Sequence, residues 1–409
     1  MGNIYYVLSY MLFPLGGLLV NICVARTMSI GNYSDYSYLM VLISYVLLFL
    51  DFGSKDYFLS SNNNNRDNKK DKSLVFQNEY YSVILLNSLL FFVFLLFFHF
   101  YERTDFSKLL LFSYFDIFST FFVTKVILFY FQVNEKLESV FKYNVLYFFC
   151  SVLFKVALII YIKELYLSLF FSGLLSSVSL ILLFLSNNFR NLIDFKFSYT
   201  SALFKFRGWL PFAVSSISFL LYFNSDKVLV RNILGDKELA YYTIAATFVS
   251  LADIFCGVAW NILLPRVNRI FASKKNQIYL MCISYIGAAL YIFVIYFFSS
   301  EIIILFFGSE YNLDIVNHLI IVLSFFFIFR YPNVILELKF IYIDSYNTVM
   351  KLRLLSAFIN LILNVLFLQH FGLIWAAFTT VTSEMILTIL FFLLLSKKRT
   401  DDKCLFSKL

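Results

Sequence analysis

Residues 278–298 read IYLMCISYIGAALYIFVIYFF, twenty-one positions without one charged side chain. A bilayer's hydrocarbon core needs roughly 20 apolar residues per helix, because lipid offers no partner to an exposed backbone N–H or C=O. Runs of this kind recur from Tyr5 to Leu395, so the property belongs to the whole chain. They are too long for barrel strands, which show only ~10 residues of alternating character. The expected fold is therefore all-α and membrane-embedded.

Composition agrees. The 409 residues are 61% hydrophobic and 14% charged, with a mean hydropathy of +0.80, whereas soluble domains carry about 45–50% apolar and ~25% charged residues. About twelve spans are expected, near 4–25, 36–54, 80–100, 109–131, 143–162, 165–185, 209–230, 241–264, 278–298, 313–336, 352–369 and 372–395. The first lacks a basic flank and a small-residue cleavage site, so it reads as a retained helix and not as a signal peptide. Net charge is +8, but the bases collect in loops, where they set topology and do not point to nucleic acid. Seven Lys and Arg fall in the odd-even loops. Twenty-three fall in the even-odd loops and C-terminal tail, from runs such as Arg66–Lys72, Arg266–Lys275 and Lys397–Arg399. By the positive-inside rule both termini are expected in the cytoplasm. The cysteines, Cys23, Cys150, Cys256, Cys282 and Cys404, have no metal-ligand or disulfide spacing, and the first four are expected as buried thiols.

The two halves look alike. Span 1 begins near Pro14 and runs to Arg26 and Gly31, and the next span carries Asp51 and Gly53. Span 7 begins near Pro211 and runs to Arg231 and Gly235, and the next span carries Asp253 and Gly257. Parallel repeats follow: a six-helix lobe at 1–185, a cytoplasmic linker at 186–207, a second six-helix lobe at 208–396 and a cytoplasmic tail at 397–409. A parallel pseudo-two-fold relates the lobes, an arrangement many transporters use to build a site between them.

Several segments resemble the polysaccharide-flippase branch of the multidrug/oligosaccharidyl-lipid/polysaccharide exporter superfamily. The best is Asp226-Lys-Val-Leu-Val-Arg-Asn-Ile-Leu-Gly235 followed by Ala240-Tyr-Tyr-Thr-Ile-Ala-Ala246. Leu264-Pro265-Arg266 and Leu50-Asp51-Phe52-Gly53 fit too, as does Asn360-Leu-Ile-Leu-Asn364 with Phe371-Gly372-Leu-Ile-Trp375-Ala376-Ala377, where Trp375 stands at a usual glycine. The resemblance implies an O-antigen or capsule repeat-unit flippase. Such a protein moves undecaprenyl-pyrophosphate-linked oligosaccharide across the bacterial cytoplasmic membrane by alternating access, coupled to H+ or Na+ and to no other cofactor. Membrane lipid and, downstream, a glycan polymerase and chain-length proteins would be its partners, and it is expected as a monomer. The related lipid II flippase carries an Arg-Asp pair in span 1; here Val20 and Asn21 stand nearby, which argues against lipid II as substrate.

A sugar pyrophosphate crossing a low-dielectric slab needs cations and hydrogen-bond donors. Lys125 in span 4 and Arg330 in span 10 lie at equivalent depths of the two halves and are candidates to contact it; the alternative is that they snorkel or pair with a carboxylate. Lys155 shares a helical face with Ser151 and Asn144 and lies either on the substrate path or in a structural pair. Arg26 and Arg231 complete the basic set. Asp253, Asp226, Asp116 and Glu384 are candidates to bind a coupling proton or Na+, with structural ion pairing as the alternative; Glu337 joins the acidic set, seven residues from Arg330 and too far for contact. Asp253 lies on a small-residue stripe with Ala246, Ser250 and Gly257 suited to a helix interface, and Pro332 is placed to kink span 10. Neither a nucleophile elbow nor a P-loop nor a zinc spacing occurs, so no enzyme is expected. A cation-coupled exporter of small molecules is the second reading. A glycan polymerase or acyltransferase is the third, disfavoured because the external stretch 299–312 has no Lys, Arg or His.

Overall fold

The structure is a computed structural model. It describes residues 2–51, 147–185, 206–308, 313–343 and 345–406, shorter stretches at 53–55, 57–58 and 115–121, and positions 88, 113, 145 and 311. Among these, regular structure is helical throughout. The chain divides into two compact units, Met1–Ala213 and Val214–Leu409.

The first unit contains α1 (Gly2–Thr27), α2 (Ile30–Asp51), a six-residue π turn (Phe148–Leu153) running directly into α3 (Phe154–Ile162), and α4 (Leu165–Leu185). α5 (Phe206–Ile233) begins in this unit and continues into the second. There it is followed by α6 (Asp236–Leu263), a 3-10 turn at Leu264–Arg266, the short α7 (Val267–Phe271), α8 (Lys274–Phe307), α9 (Leu313–Ser324), α10 (Phe326–Tyr342), α11 (Tyr346–Phe371) and α12 (Leu373–Phe406). Among the described residues, five stretches are long and apolar enough to cross a bilayer: Asp236–Leu263, Lys274–Phe307, Asp314–Tyr342, Tyr346–Phe371 and Leu373–Ser396.

These helices are inside-out relative to those of a soluble protein. On α8 the buried positions include Ser284, Ala288 and Ser299, while Ile286, Leu290, Phe293 and Phe297 are exposed. On α11 Ser356, Ala357, Asn360 and Asn364 are buried, and Phe358, Ile362, Val365 and Leu366 are exposed. Water would penalise that distribution. Lipid rewards it, because hydrocarbon tails are as apolar as leucine and helices associate through small and polar residues. The protein is a multi-pass membrane protein.

Local chemistry sets the connections. Between α5 and α6 the amides of Leu234 and Gly235 both donate to Val230 O, at 2.9 and 3.1 Å, and Gly235 takes φ +115°. Asp236 and Glu238 then occupy the first turn of α6, where the helix dipole favours carboxylates. Pro332 lies within α10, which runs continuously through it, and the ladder of the span is interrupted earlier, at Ser324–Phe325, where Phe325 N donates to Val322 O. α12 also continues past Leu395 to Phe406, so the first ten residues of the expected tail are helical.

Candidate functional site

The described polar residues of the second unit gather in two clusters. One surrounds Asp226, which is fully buried on α5. Its Oδ1 accepts from Asn364 Nδ2 at 2.7 Å, and its Oδ2 accepts from Tyr242 OH at 3.0 Å and from the Thr380 hydroxyl. Thr379 Oγ1 holds Asn364 Oδ1 at 2.9 Å, and Asn364 Nδ2 also reaches Asn360 Oδ1 at 3.3 Å. Four helices thus converge on one carboxylate. Arg231, five residues beyond Asp226, pairs with Asp236 at 2.9 Å. The Asn360 and Asn364 positions are one helical turn apart, so both amides face the same side.

The second cluster is ionic. Arg330 Nε lies 2.9 Å from Asp253 Oδ1 and its Nη1 lies 3.7 Å from Glu384 Oε1. Asn333 Nδ2 donates to Glu384 Oε1 at 3.1 Å. Arg353 Nε lies 2.6 Å from Glu337 Oε1, and its Nη2 bonds Glu337 Oε2, closing a two-pronged pair. Both guanidinium groups lie over Phe219, 4.4 Å (Arg330) and 5.4 Å (Arg353) from the ring centroid. The π face of the ring favours cations, most of all where water is excluded.

Sequence reasoning missed two of these residues. Arg353 counts among the loop bases by position, yet it is a buried member of α11, and Glu337 makes its bridge to it across two helices. A charge at the start of an apolar run reads as the end of a span; only the packing shows that the helix begins earlier, at Tyr346. Phe219 carries no signal in a chain with 54 phenylalanines. Thr380, four residues from Glu384, serves Asp226 instead, and Thr388 donates to the Glu384 carbonyl. The stripe through Asp253 is not a packed interface among the described residues, since Ser250 and Gly257 are exposed and a Cβ on Gly257 would meet nothing. Asp253 is tied to Arg330 instead.

In the first unit Lys155 Nζ lies 2.5 Å from Asp116 Oδ2. Nearby, Ser119 Oγ approaches Ser176 Oγ at 2.7 Å and Tyr147 OH at 3.1 Å, and Thr120 Oγ1 approaches Tyr147 OH at 3.3 Å. The shared face expected for Lys155, Ser151 and Asn144 assumes an unbroken α-helix. The π turn inserts an extra residue between 148 and 153 and shifts the phase. Arg26 is exposed in the last turn of α1. Lys125 and Asn144 lie outside the described residues, as do Cys150 and Cys404 in their side chains. Cys23 and Cys256 are buried free thiols, whereas Cys282 is exposed on α8.

The polysaccharide biosynthesis protein family matches residues 1–271 of the chain. A curated relative, the capsular polysaccharide biosynthesis protein CapF of Staphylococcus aureus, is 22% identical over 209 residues, which are 49% of this chain and 52% of that protein; the match thus spans about half the length of the relative. Among solved structures, an outward-facing multidrug resistance MATE family transporter of the MOP superfamily superposes with a TM-score of 0.72 at 14% identity, over 98% of this chain and 95% of that one. The lipid II flippase MurJ, in an inward closed conformation, gives 0.69 at 16% identity over 96% and 87%. A MOP superfamily transporter from Pyrococcus furiosus gives 0.68 at 14% over 97% and 95%. At these identities the likeness establishes the fold alone, which this chain shares with these transporters. With a family match over well more than half its length on that fold, the chain belongs to the polysaccharide biosynthesis protein family.

Proposed function

We propose that the protein is a flippase for a lipid-linked oligosaccharide whose headgroup is a pyrophosphate. It would work by alternating access in the bacterial cytoplasmic membrane, with both termini on the cytoplasmic side. One observation carries the reading: a member of a polysaccharide biosynthesis family, on a transporter fold, buries basic side chains inside helices whose outer faces suit lipid. A passive helical bundle has no use for charges that each cost several kcal/mol to desolvate. A pathway for a sugar pyrophosphate does, because its anion must never stand uncompensated in hydrocarbon. Arg330, with Lys125, Arg26 and Arg231, supplies the positive side of that balance, while Lys155 is held against Asp116.

Coupling to a cation gradient belongs to the same proposal. Asp226 is a buried carboxylate hydrogen-bonded by the neutral donors Tyr242, Asn364 and Thr380. A negative charge so placed in a membrane span favours an added H+ or Na+. In a strain deprived of its own flippase, the wild-type gene supplied with the matching glycosyltransferases is expected to restore surface glycan. Asp226→Asn is expected to lower that glycan about tenfold or more at equal protein level, with lipid-linked oligosaccharide accumulating on the inner leaflet. Full glycan from Asp226→Asn would remove the coupling assignment. Wild-type protein that leaves the lipid-linked substrate on the inner leaflet would remove the flippase itself.

A fold shared with multidrug transporters favours a second reading, cation-coupled export of small molecules. Cation-dependent efflux of a dye from vesicles containing the purified protein, with no glycan phenotype, would select it.

A further inference from the structure

Two buried carboxylates, Asp116 of the first unit and Asp226 of the second, have different partners. In the second, Asp226 is surrounded by hydroxyl and amide donors. In the first, Asp116 has an ammonium group against one oxygen, Oδ2, while Oδ1 is buried with no hydrogen-bond partner among the described residues. Asp116 itself is 8% exposed.

Three local accommodations produce that contact. The π turn ends at Leu153, two residues before Lys155, and its extra residue sets the phase at which the lysine leaves α3. Gly173 lets α4 approach the backbone of the Asp116 segment: a Cβ there would lie 2.7 Å from Asp116 N. Gly16 does the same for α1 against the π turn, where a Cβ would lie 2.7 Å from a Val152 methyl. Stability does not call for this, because a buried ion pair is about neutral against a well-packed apolar pair. A pair built for stability would also have both carboxylate oxygens satisfied. Among the described residues, the other groups near the carboxylate are neutral. The Tyr36 and Tyr147 phenols and the Cys23 thiol share its electrostatic surroundings, and the hydroxyls of Ser119 and Thr120 lie on the following turn. A buried carboxylate with one oxygen left open and a monovalent positive charge against the other has the form of a monovalent-cation site with its cation already attached.

We propose that Lys155 is a tethered cation, whose ammonium group permanently occupies a monovalent-cation site formed on Asp116. Asp116 is then neutralised without exchanging an ion, and a cation gradient does not act on the protein through it. The contrast rests on the reading of Asp226 given above, but the test does not pass through transport.

Purified full-length protein carrying Asp226→Asn, so that the other site is silent, is unfolded thermally in detergent with NaCl or choline chloride at equal ionic strength. With Lys155 present the midpoint is expected to be the same in both salts. Lys155→Ala is expected to make it rise in NaCl by about 3 °C or more, as a ligand bound only to the folded state does. Adding Asp116→Asn should abolish that rise. Equal midpoints for Lys155→Ala in the two salts would overturn the proposal, as would a rise that survives Asp116→Asn. Should Lys155→Ala not be recoverable, Lys155→Gln keeps the length of the side chain and is read in the same way. Failure of both to fold in either salt, with Lys155→Arg normal, would show a structural pair and equally overturn it. A loss of glycan export alone moves none of these midpoints.

Discussion

Glu337→Gln is expected to cost about 3–5 kcal/mol of stability, the range for removing one partner of a buried ion pair. Glu337 is fully buried, and the Arg353 side chain is 11% exposed. Glutamine keeps the shape but takes away the charge and one of the two acceptor oxygens. Arg353 would then be left as a bare cation in a span, with Arg330 on the same phenylalanine ring. The two guanidinium carbons can be no further apart than the sum of their distances to its centroid, so each needs a carboxylate of its own. Arg353→Met alone should cost a similar amount, by stranding Glu337. The double variant Glu337→Met/Arg353→Met is expected to recover most of the loss, since an apolar pair of similar volume carries no desolvation penalty. Thermal unfolding in detergent measures all three, and a double variant no better than the worse single one would refute the pairing.

The other large effect belongs to Gly53. It adopts φ +70° just beyond α2, and a Cβ there would lie 2.4 Å from Ala213 N and 2.7 Å from both Ala213 Cα and Phe212 C. All three are backbone atoms, which no rotamer change can move aside. Backbone strain for a non-glycine residue at this φ adds of order 1–2 kcal/mol. Gly53→Ala is therefore expected to cost about 3 kcal/mol or more and to lower the yield of monodisperse protein sharply. Gly17→Ala is the control: it sits inside α1 with nothing within 4 Å of its added Cβ. It should be neutral or stabilising by up to about 1 kcal/mol. Equal behaviour of the two variants would sink the argument.

Which features the sequence discloses follows from what lipid demands. Backbone satisfaction forces long apolar runs, so the existence and order of the spans from Asp236 to Ser396 are legible, although their ends extend further than the apolar runs, as at Phe307 and Tyr346. Charge in a span is legible too, because it is rare, and Arg330, Lys155, Asp253 and Glu384 stand out on that ground alone. Their partners do not. Arg330 and Asp253 are 77 residues apart and Lys155 and Asp116 are 39 apart; joining them requires the rotation and depth of each helix. A helix apolar on all sides offers no stripe from which to read its rotation. The Asp226 cluster shows the same division. Asp226, Asn360 and Asn364 all fall in segments that resemble the family's, but nothing in either segment says that they meet. Tyr242 and Thr380 join the set only through packing.

The π turn at Phe148–Leu153 also bears on how this protein is compared with its relatives. A residue added to an α-helix ordinarily rotates everything beyond it by about 100°. A π turn absorbs the addition within one turn, so the helix beyond Leu153 keeps its face although its numbering is shifted by one. A relative one residue shorter at this point would align on either side of a single gap placed inside the turn, with its interior and lipid faces beyond the gap corresponding to this chain's. Placing that gap at the edge of the span, where gaps are conventionally put, would assign the lysine at 155 a counterpart that faces the bilayer.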